Sequence, residues 1–120
     1  MIGIDITVIS RIQKMIDRFG TKALNKFLST KEINLGKNTS TYAGFWAAKE
    51  AASKAIGTGI GKKCSFHDIK IKKLQSGQPI LKYKKKIRKK YNIKSTNLSI
   101  THDGNYAIAV VVNTLKIKEG

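Results

Sequence analysis

Two carboxylates carry most of the chemistry legible in this sequence. Asp5 falls within Ile2–Ile9, where Ile2, Ile4, Ile6 and Val8 alternate with Gly3, Asp5, Thr7 and Ile9, the period of a strand with one buried face. Asp is poorly suited to strands, so its place here asks for a reason. Glu50 stands beside Ala43, Ala47 and Ala51, with Lys54 four residues on, and so projects from a helical face of small apolar side chains. In one reading, Glu50 and Lys54 form an i, i+4 ion pair worth about 0.2–0.5 kcal/mol, and Asp5 is an ordinary solvated residue. In the other, Asp5 and Glu50 hold a hard divalent cation such as Mg²⁺, which takes one or two carboxylates and keeps positions for water and substrate phosphate. Spacing alone leaves both open.

Three further groupings suggest chemistry. Gly57-Thr58-Gly59-Ile60-Gly61-Lys62 looks like a phosphate loop, but it follows a helix rather than a strand, and Lys63 stands where such a loop needs Ser or Thr. It reads as a helix stop and a close-approach loop. Cys64, His67 and Asp68 match a nucleophilic set in composition only, because sequence neighbours seldom form a triad; they read as structural. His102 stands at the mouth of the turn Asp103-Gly104-Asn105, where an isolated His is ordinarily packed or solvated.

The elements that must position these residues follow from periodicity. Thr41 to Ile56 is Ala-rich and free of Pro, which predicts the longest helix of the chain, stopped by a left-handed Gly57. The Ile row of the first strand is expected to be buried, with Asp5 on the opposite face. Ser10 is expected to cap a helix whose core stripe is Ile12, Met15, Ile16 and Phe19, and whose outer face lines up Arg11, Lys14 and Arg18 as a basic ridge. After Gly20, Thr21 should cap a short helix, and Ser29 to Glu32 has the form of a capping box. A polar loop is expected over 36–40. Ile69–Leu74 and Ile80–Leu81 form a hairpin across Ser76-Gly77-Gln78-Pro79. Tyr83, Ile87 and Tyr91 recur every four residues among lysines, predicting an intensely basic helix. Asn97–His102 and Tyr106–Asn113 are strands joined by a tight turn. The second of these is apolar on both faces, as befits a central strand or one buried between subunits. The tail from Lys116 should fray. With no internal repeat or linker, these elements make one α+β domain (α/β mixed) over 1–120.

The chain has 120 residues and a formal charge of +17, from 24 Lys plus Arg against 7 Asp plus Glu. That balance calls for an anionic partner, whether nucleic acid, a phosphorylated small molecule or an acidic protein. Residues 82–94 are the best nucleic-acid or membrane-surface candidate, although no recognised reading motif accompanies them. No run approaches the roughly 20 apolar residues of a membrane span, and no signal-peptide layout begins the chain, so a cytoplasmic location is expected. The single Cys64 excludes an intrachain disulfide and a Cys-cluster metal site.

Gly3-Ile4-Asp5-Ile6 with Ile9, Arg11 and Ile12, then Trp46-Ala47-Ala48-Lys49-Glu50-Ala51 with Lys54-Ala55-Ile56-Gly57-Thr58-Gly59-Ile60, then Ser99-Ile100-Thr101-His102 before Tyr106-Ala107, resemble the holo-[acyl-carrier-protein] synthases of the 4′-phosphopantetheinyl transferase superfamily. The resemblance runs from Ile2 to about Val112. It implies a small antiparallel sheet packed against a long central helix, in a trimer with active sites between subunits. It also implies transfer of 4′-phosphopantetheine from coenzyme A to a serine of apo acyl carrier protein, with Asp5 and Glu50 as Mg²⁺ ligands and Glu50 and Lys54 as catalytic groups. By the same resemblance Lys54, Gly57 and a neighbouring subunit's His102 contact coenzyme A. Arg11, Lys14 and Arg18 then become the docking ridge for the acidic carrier, and neither nucleic acid nor membrane is an expected partner. Two positions depart from the pattern. Phe45 stands where many members have Arg, leaving a phosphate contact to a nearby lysine. Thr7 stands where larger superfamily members have a third acidic ligand, leaving water to complete the coordination.

Overall fold

A strand that alternates Ile with Gly, Asp and Thr can bury only one of its two rows. In the computed structural model of the protein, which describes residues 1–117, the strand β1 (Ile2–Val8) buries the row expected to face outward. Thr7 is fully buried, while Ile2, Ile4 and Ile6 are 69%, 60% and 59% exposed. The cause is the helix laid across it, α4 (Thr39–Ala55). A Cβ at Gly3 would lie 2.0 Å from the Ala51 carbonyl oxygen and 2.6 Å from the Ala55 amide nitrogen. Strand and helix therefore meet backbone to backbone, over Ala47, Ala48, Ala51 and Ala52, all with no exposed surface. Isoleucines cannot enter so thin a layer. Gly3→Ala is accordingly expected to lose about 1–3 kcal/mol or more, measured as a lower denaturant midpoint, because the helix backbone must retreat to admit one methyl group.

Between these two elements run α1 (Ile9–Phe19), α2 (Thr21–Phe27) and α3 (Thr30–Gly36); after α4 come a 3₁₀ turn (Phe66–Asp68), β2 (Ile69–Lys73), β3 (Pro79–Tyr83), α5 (Lys85–Lys90), β4 (Ile93–Asp103) and β5 (Tyr106–Leu115). β1, β5 and β4 form an antiparallel sheet in that spatial order, and β2 pairs with β3 in a separate hairpin. The last strand is thus the central one. The register aligns Asp5 with Ala109 and Ala109 with Ile100. The expectation of fraying from Lys116 falls for the most part on residues 118–120, which lie outside the described residues.

Several boundaries differ from the sequence expectation, each for a local reason. Ser10 does not cap α1; the Asn105 side chain accepts from the Ser10 amide at 2.9 Å, and the Asn105 carbonyl accepts from Ile9, so the β4–β5 turn does the capping. Gly20 rather than Thr21 is the N-cap of α2. The capping box of Ser29 and Glu32 forms as expected. Asn38 caps α4 by accepting from the Thr41 amide and hydroxyl, both at 2.9 Å, which shortens the polar loop. Tyr83 belongs to β3, not to the basic helix. Its hydroxyl donates to the Ala52 carbonyl at 2.8 Å and accepts from Asn113 at 2.9 Å, and α5 shrinks to six residues.

One buried ion pair ties this half of the chain together. The Lys49 ammonium, on α4, lies 2.8 Å from Glu32 Oε1 with no exposed side-chain surface, and also donates to the Phe27 carbonyl at 2.7 Å. Glu32 accepts in addition from the Ser29 amide at 2.8 Å and the Ile71 amide at 2.7 Å. The ends of α2 and α3, the middle of α4 and the edge of β2 thus meet on two side chains. Burial pulls the Lys49 amine below its ordinary pKa, and the Glu32 carboxylate opposes that shift.

Candidate functional site

The turned-in row of β1 brings Asp5 up against α4. Lys54 crosses the gap between them, its ammonium 2.8 Å from Asp5 Oδ1. The other oxygen, Oδ2, accepts from the Thr7 hydroxyl at 2.9 Å. The i, i+4 spacing of Glu50 and Lys54 does not govern the pairing, because the Asp5 carboxylate meets the ammonium directly. Asp5 lifts the Lys54 amine above its ordinary value through that hydrogen bond.

Glu50 stands half-buried one helical turn before Lys54. Burial raises its carboxyl pKa above the ordinary 4.5, the charge of Asp5 raises it further, and Lys54 and Arg11 pull it back in part. None of the ion pairs among the described residues includes Glu50. Two carboxylates are therefore held close enough to repel, one of them without a cation of its own. This donor set fits a hard divalent ion that takes one or two carboxylates and keeps water positions. Among the described residues no three or more His, Cys, Asp or Glu gather at one point, so water or substrate must supply the remaining ligands.

The other predicted site residues fall around this pair at different distances. Gly57 follows α4 at φ 83°, and nothing lies within 4 Å of the place a Cβ would take, so the loop end is open. Arg11 packs its guanidinium 5.5 Å from the Trp46 ring centre, and Trp46 in turn meets Phe27 and Phe66 at 4.9 and 4.7 Å. The basic ridge of Arg11, Lys14 and Arg18 is exposed, and its first residue borders the carboxylates.

His102 is not part of the group within one chain. Its Nε2 sits 2.9 Å from the Ser40 carbonyl, at the opposite end of α4 from Lys54. There it lines a shallow hollow with Thr41, Gly44, Lys73 and Pro79. Phe45 is 1% exposed and belongs to the core. A larger hollow between α3 and β2, lined by Lys31, Asn34, Lys70 and Lys72, holds none of the predicted site residues. Cys64 and Asp68 are structural as read: Cys64 is fully buried with its thiol pushed up to about 11 by burial, and Asp68 caps the 3₁₀ turn. The sequence reading missed Lys49. Its signal was its position on the helical face of Phe45, Ala52 and Ser53, all buried.

The description 4′-phosphopantetheinyl transferase superfamily matches residues 1–111. The chain is 66% identical to the holo-[acyl-carrier-protein] synthase of Aliarcobacter butzleri over 98% of this chain and 100% of that one. It is 56% identical to the Campylobacter jejuni synthase of strain 81116 over 92% and 96%. Its fold is similar to that of the Helicobacter pylori synthase in complex with coenzyme A, with a TM-score of 0.92, 50% identity, and coverage of 95% and 100%. A Bacillus anthracis synthase in complex with coenzyme A (3′,5′-ADP) superposes with a TM-score of 0.77 at 41% identity, covering 93% of each chain.

Proposed function

The chain belongs to the 4′-phosphopantetheinyl transferase superfamily, and on that footing we propose how its residues carry out the family reaction. It transfers 4′-phosphopantetheine from coenzyme A to a serine hydroxyl of apo acyl carrier protein, in fatty acid biosynthesis, releasing adenosine 3′,5′-bisphosphate. The bond formed joins the serine oxygen to the β-phosphorus of coenzyme A, and the bond broken joins that phosphorus to the bridging oxygen of the leaving bisphosphate.

The observation that carries this reading is the meeting of Asp5, Glu50 and Lys54 at the crossing of β1 and α4. Asp5 and Glu50 would hold Mg²⁺, which would supply positive charge against the diphosphate and polarise its phosphorus. Lys54, half exposed, turns its ammonium to the same diphosphate and counters the charge that grows on its oxygens. Glu50, whose carboxyl pKa burial and the Asp5 charge raise above the ordinary 4.5, accepts the serine proton. The open Gly57 loop gives coenzyme A a path past the end of the helix.

Three further features belong to the same reading. The bare row of Ile2, Ile4 and Ile6, with Tyr106 and Val112 beside it at 48% and 38% exposure, supports a homotrimer closed over this sheet face. In that assembly His102 reaches coenzyme A held by a neighbouring subunit, which accounts for its distance from Asp5 within one chain. Arg11, Lys14 and Arg18 receive the acidic carrier beside the carboxylates. No helix among the described residues is long and apolar enough to cross a membrane, in keeping with a cytoplasmic enzyme.

The test is direct. Incubation with coenzyme A, Mg²⁺ and an apo carrier should add the mass of 4′-phosphopantetheine to the carrier, and a chelator should stop it. No mass gain with several carriers overturns the proposal. Arg18→Glu should raise KM for the carrier about tenfold, an effect that salt weakens, while kcat holds; an unchanged KM across ionic strengths removes the ridge from docking.

A further inference from the structure

A threonine hydroxyl sealed inside an apolar layer must find an acceptor, since leaving it unpaired costs about 1–3 kcal/mol. Thr7 has no exposed surface. Its Oγ1 donates to Asp5 Oδ2 at 2.9 Å, two residues back on the same face of β1. Valine has nearly the same shape and would fill this position without needing a partner, so the hydroxyl serves the carboxylate rather than the packing.

The two oxygens of Asp5 are therefore held in unlike ways. Oδ2 is fixed from below by a buried, β-branched side chain with few rotamers. Oδ1 is held by Lys54, a long side chain 51% exposed, which can leave its partner at little cost. Only Oδ1 is free to exchange an ammonium for another cation. Hydrogen-bonded partners of this kind orient metal-binding carboxylates, and their loss ordinarily costs tenfold to a hundredfold in affinity.

We infer that Thr7 is a positioning residue, which pins Asp5 Oδ2 so that Asp5 presents the single oxygen Oδ1 to a divalent cation. This rests on the assignment of Asp5 as a metal ligand made above, and it adds a role for the residue that replaces an acidic ligand of larger superfamily members. Lys54 then acts as a resident counter-ion on Oδ1, displaced when the divalent cation arrives.

Mn²⁺ binding to the whole protein without coenzyme A, followed by the loss of the free-ion electron paramagnetic resonance signal, reads this directly. Thr7→Val should weaken Mn²⁺ binding roughly tenfold to a hundredfold with the thermal melt retained, and Thr7→Ser, which keeps the hydroxyl, should restore it. In turnover, Thr7→Val should raise the Mg²⁺ concentration at half-maximal rate more than it lowers kcat at saturating Mg²⁺. Wild-type Mn²⁺ affinity in Thr7→Val overturns the positioning role alone. A wild-type protein that binds no Mn²⁺, or Asp5→Asn binding as well as wild type, overturns the metal assignment and this role with it.

Discussion

Lys49→Ala is expected to cost about 3–5 kcal/mol of stability, a large share of the roughly 5–15 kcal/mol that holds a domain of this size together. The loss comes less from the missing attraction than from what remains. Glu32 would stay buried at 3% exposure with its charge uncompensated, and the Phe27 carbonyl would lose its donor. Lys49→Met, which keeps the volume, should fare little better, because the carboxylate is still stranded. Adding Glu32→Gln to Lys49→Met should recover part of the loss by removing the charge, although the single amide oxygen can serve only one of the Ser29 and Ile71 amides, which donate to separate oxygens of Glu32. Equilibrium denaturation of wild type, Lys49→Met, Glu32→Gln and the double variant measures the coupling. Additive losses would mean that the two side chains do not act as a pair.

Glu50→Gln is expected to move activity and stability in opposite directions. Turnover should fall by about 10²–10³ or more, the scale of losing a group that acts on transition-state charge. The metal-free protein should nevertheless melt higher than wild type at neutral pH. The folded chain holds the Glu50 proton more tightly than the unfolded chain, since burial and Asp5 raise its pKa above 4.5. The stability Glu50 contributes is thus complete below about that ordinary value and is lost as pH rises through the raised one. Above it the ionised carboxylate is a strain that Gln removes. Mg²⁺ held there as proposed would relieve the same strain in wild type, so added Mg²⁺ should raise the wild-type melt and leave that of Glu50→Gln nearly unmoved. Asp5→Asn should match the loss of activity; near-wild-type turnover in either variant refutes the assignment of that residue.

Local signals told the truth about local structure. The Ala-rich helix, its Gly57 stop and the Asp103-Gly104-Asn105 hairpin were legible because each depends on residues a few positions apart. Which face of β1 is buried was not, because alternation fixes the period of a strand but not its sign. The sign was set by Gly3 against Ala51, a contact between distant segments, and by an apolar face left for something outside the chain. Tyr83 misled for a related reason, since a four-residue recurrence with Ile87 and Tyr91 spans a strand end, a turn and a helix. Of the site, Asp5 and Glu50 stood out as charges in costly places and Lys54 as their neighbour. The pairing of Lys54 with Asp5, the hold of Thr7 and the burial of Lys49 all needed the fold.

The central position of β5 also sets the order in which the proposed catalytic group can form. During synthesis β1 leaves the ribosome well before β5, yet among the described residues β1 pairs with β5 alone, from Ile2 against Val112 to Val8 against Tyr106. A nascent chain that stops short of β5 carries both Asp5 and Glu50 but has no sheet on which to hold one against the other. The proposed metal-binding pair is therefore expected to come together only after residues 106–112 have been made.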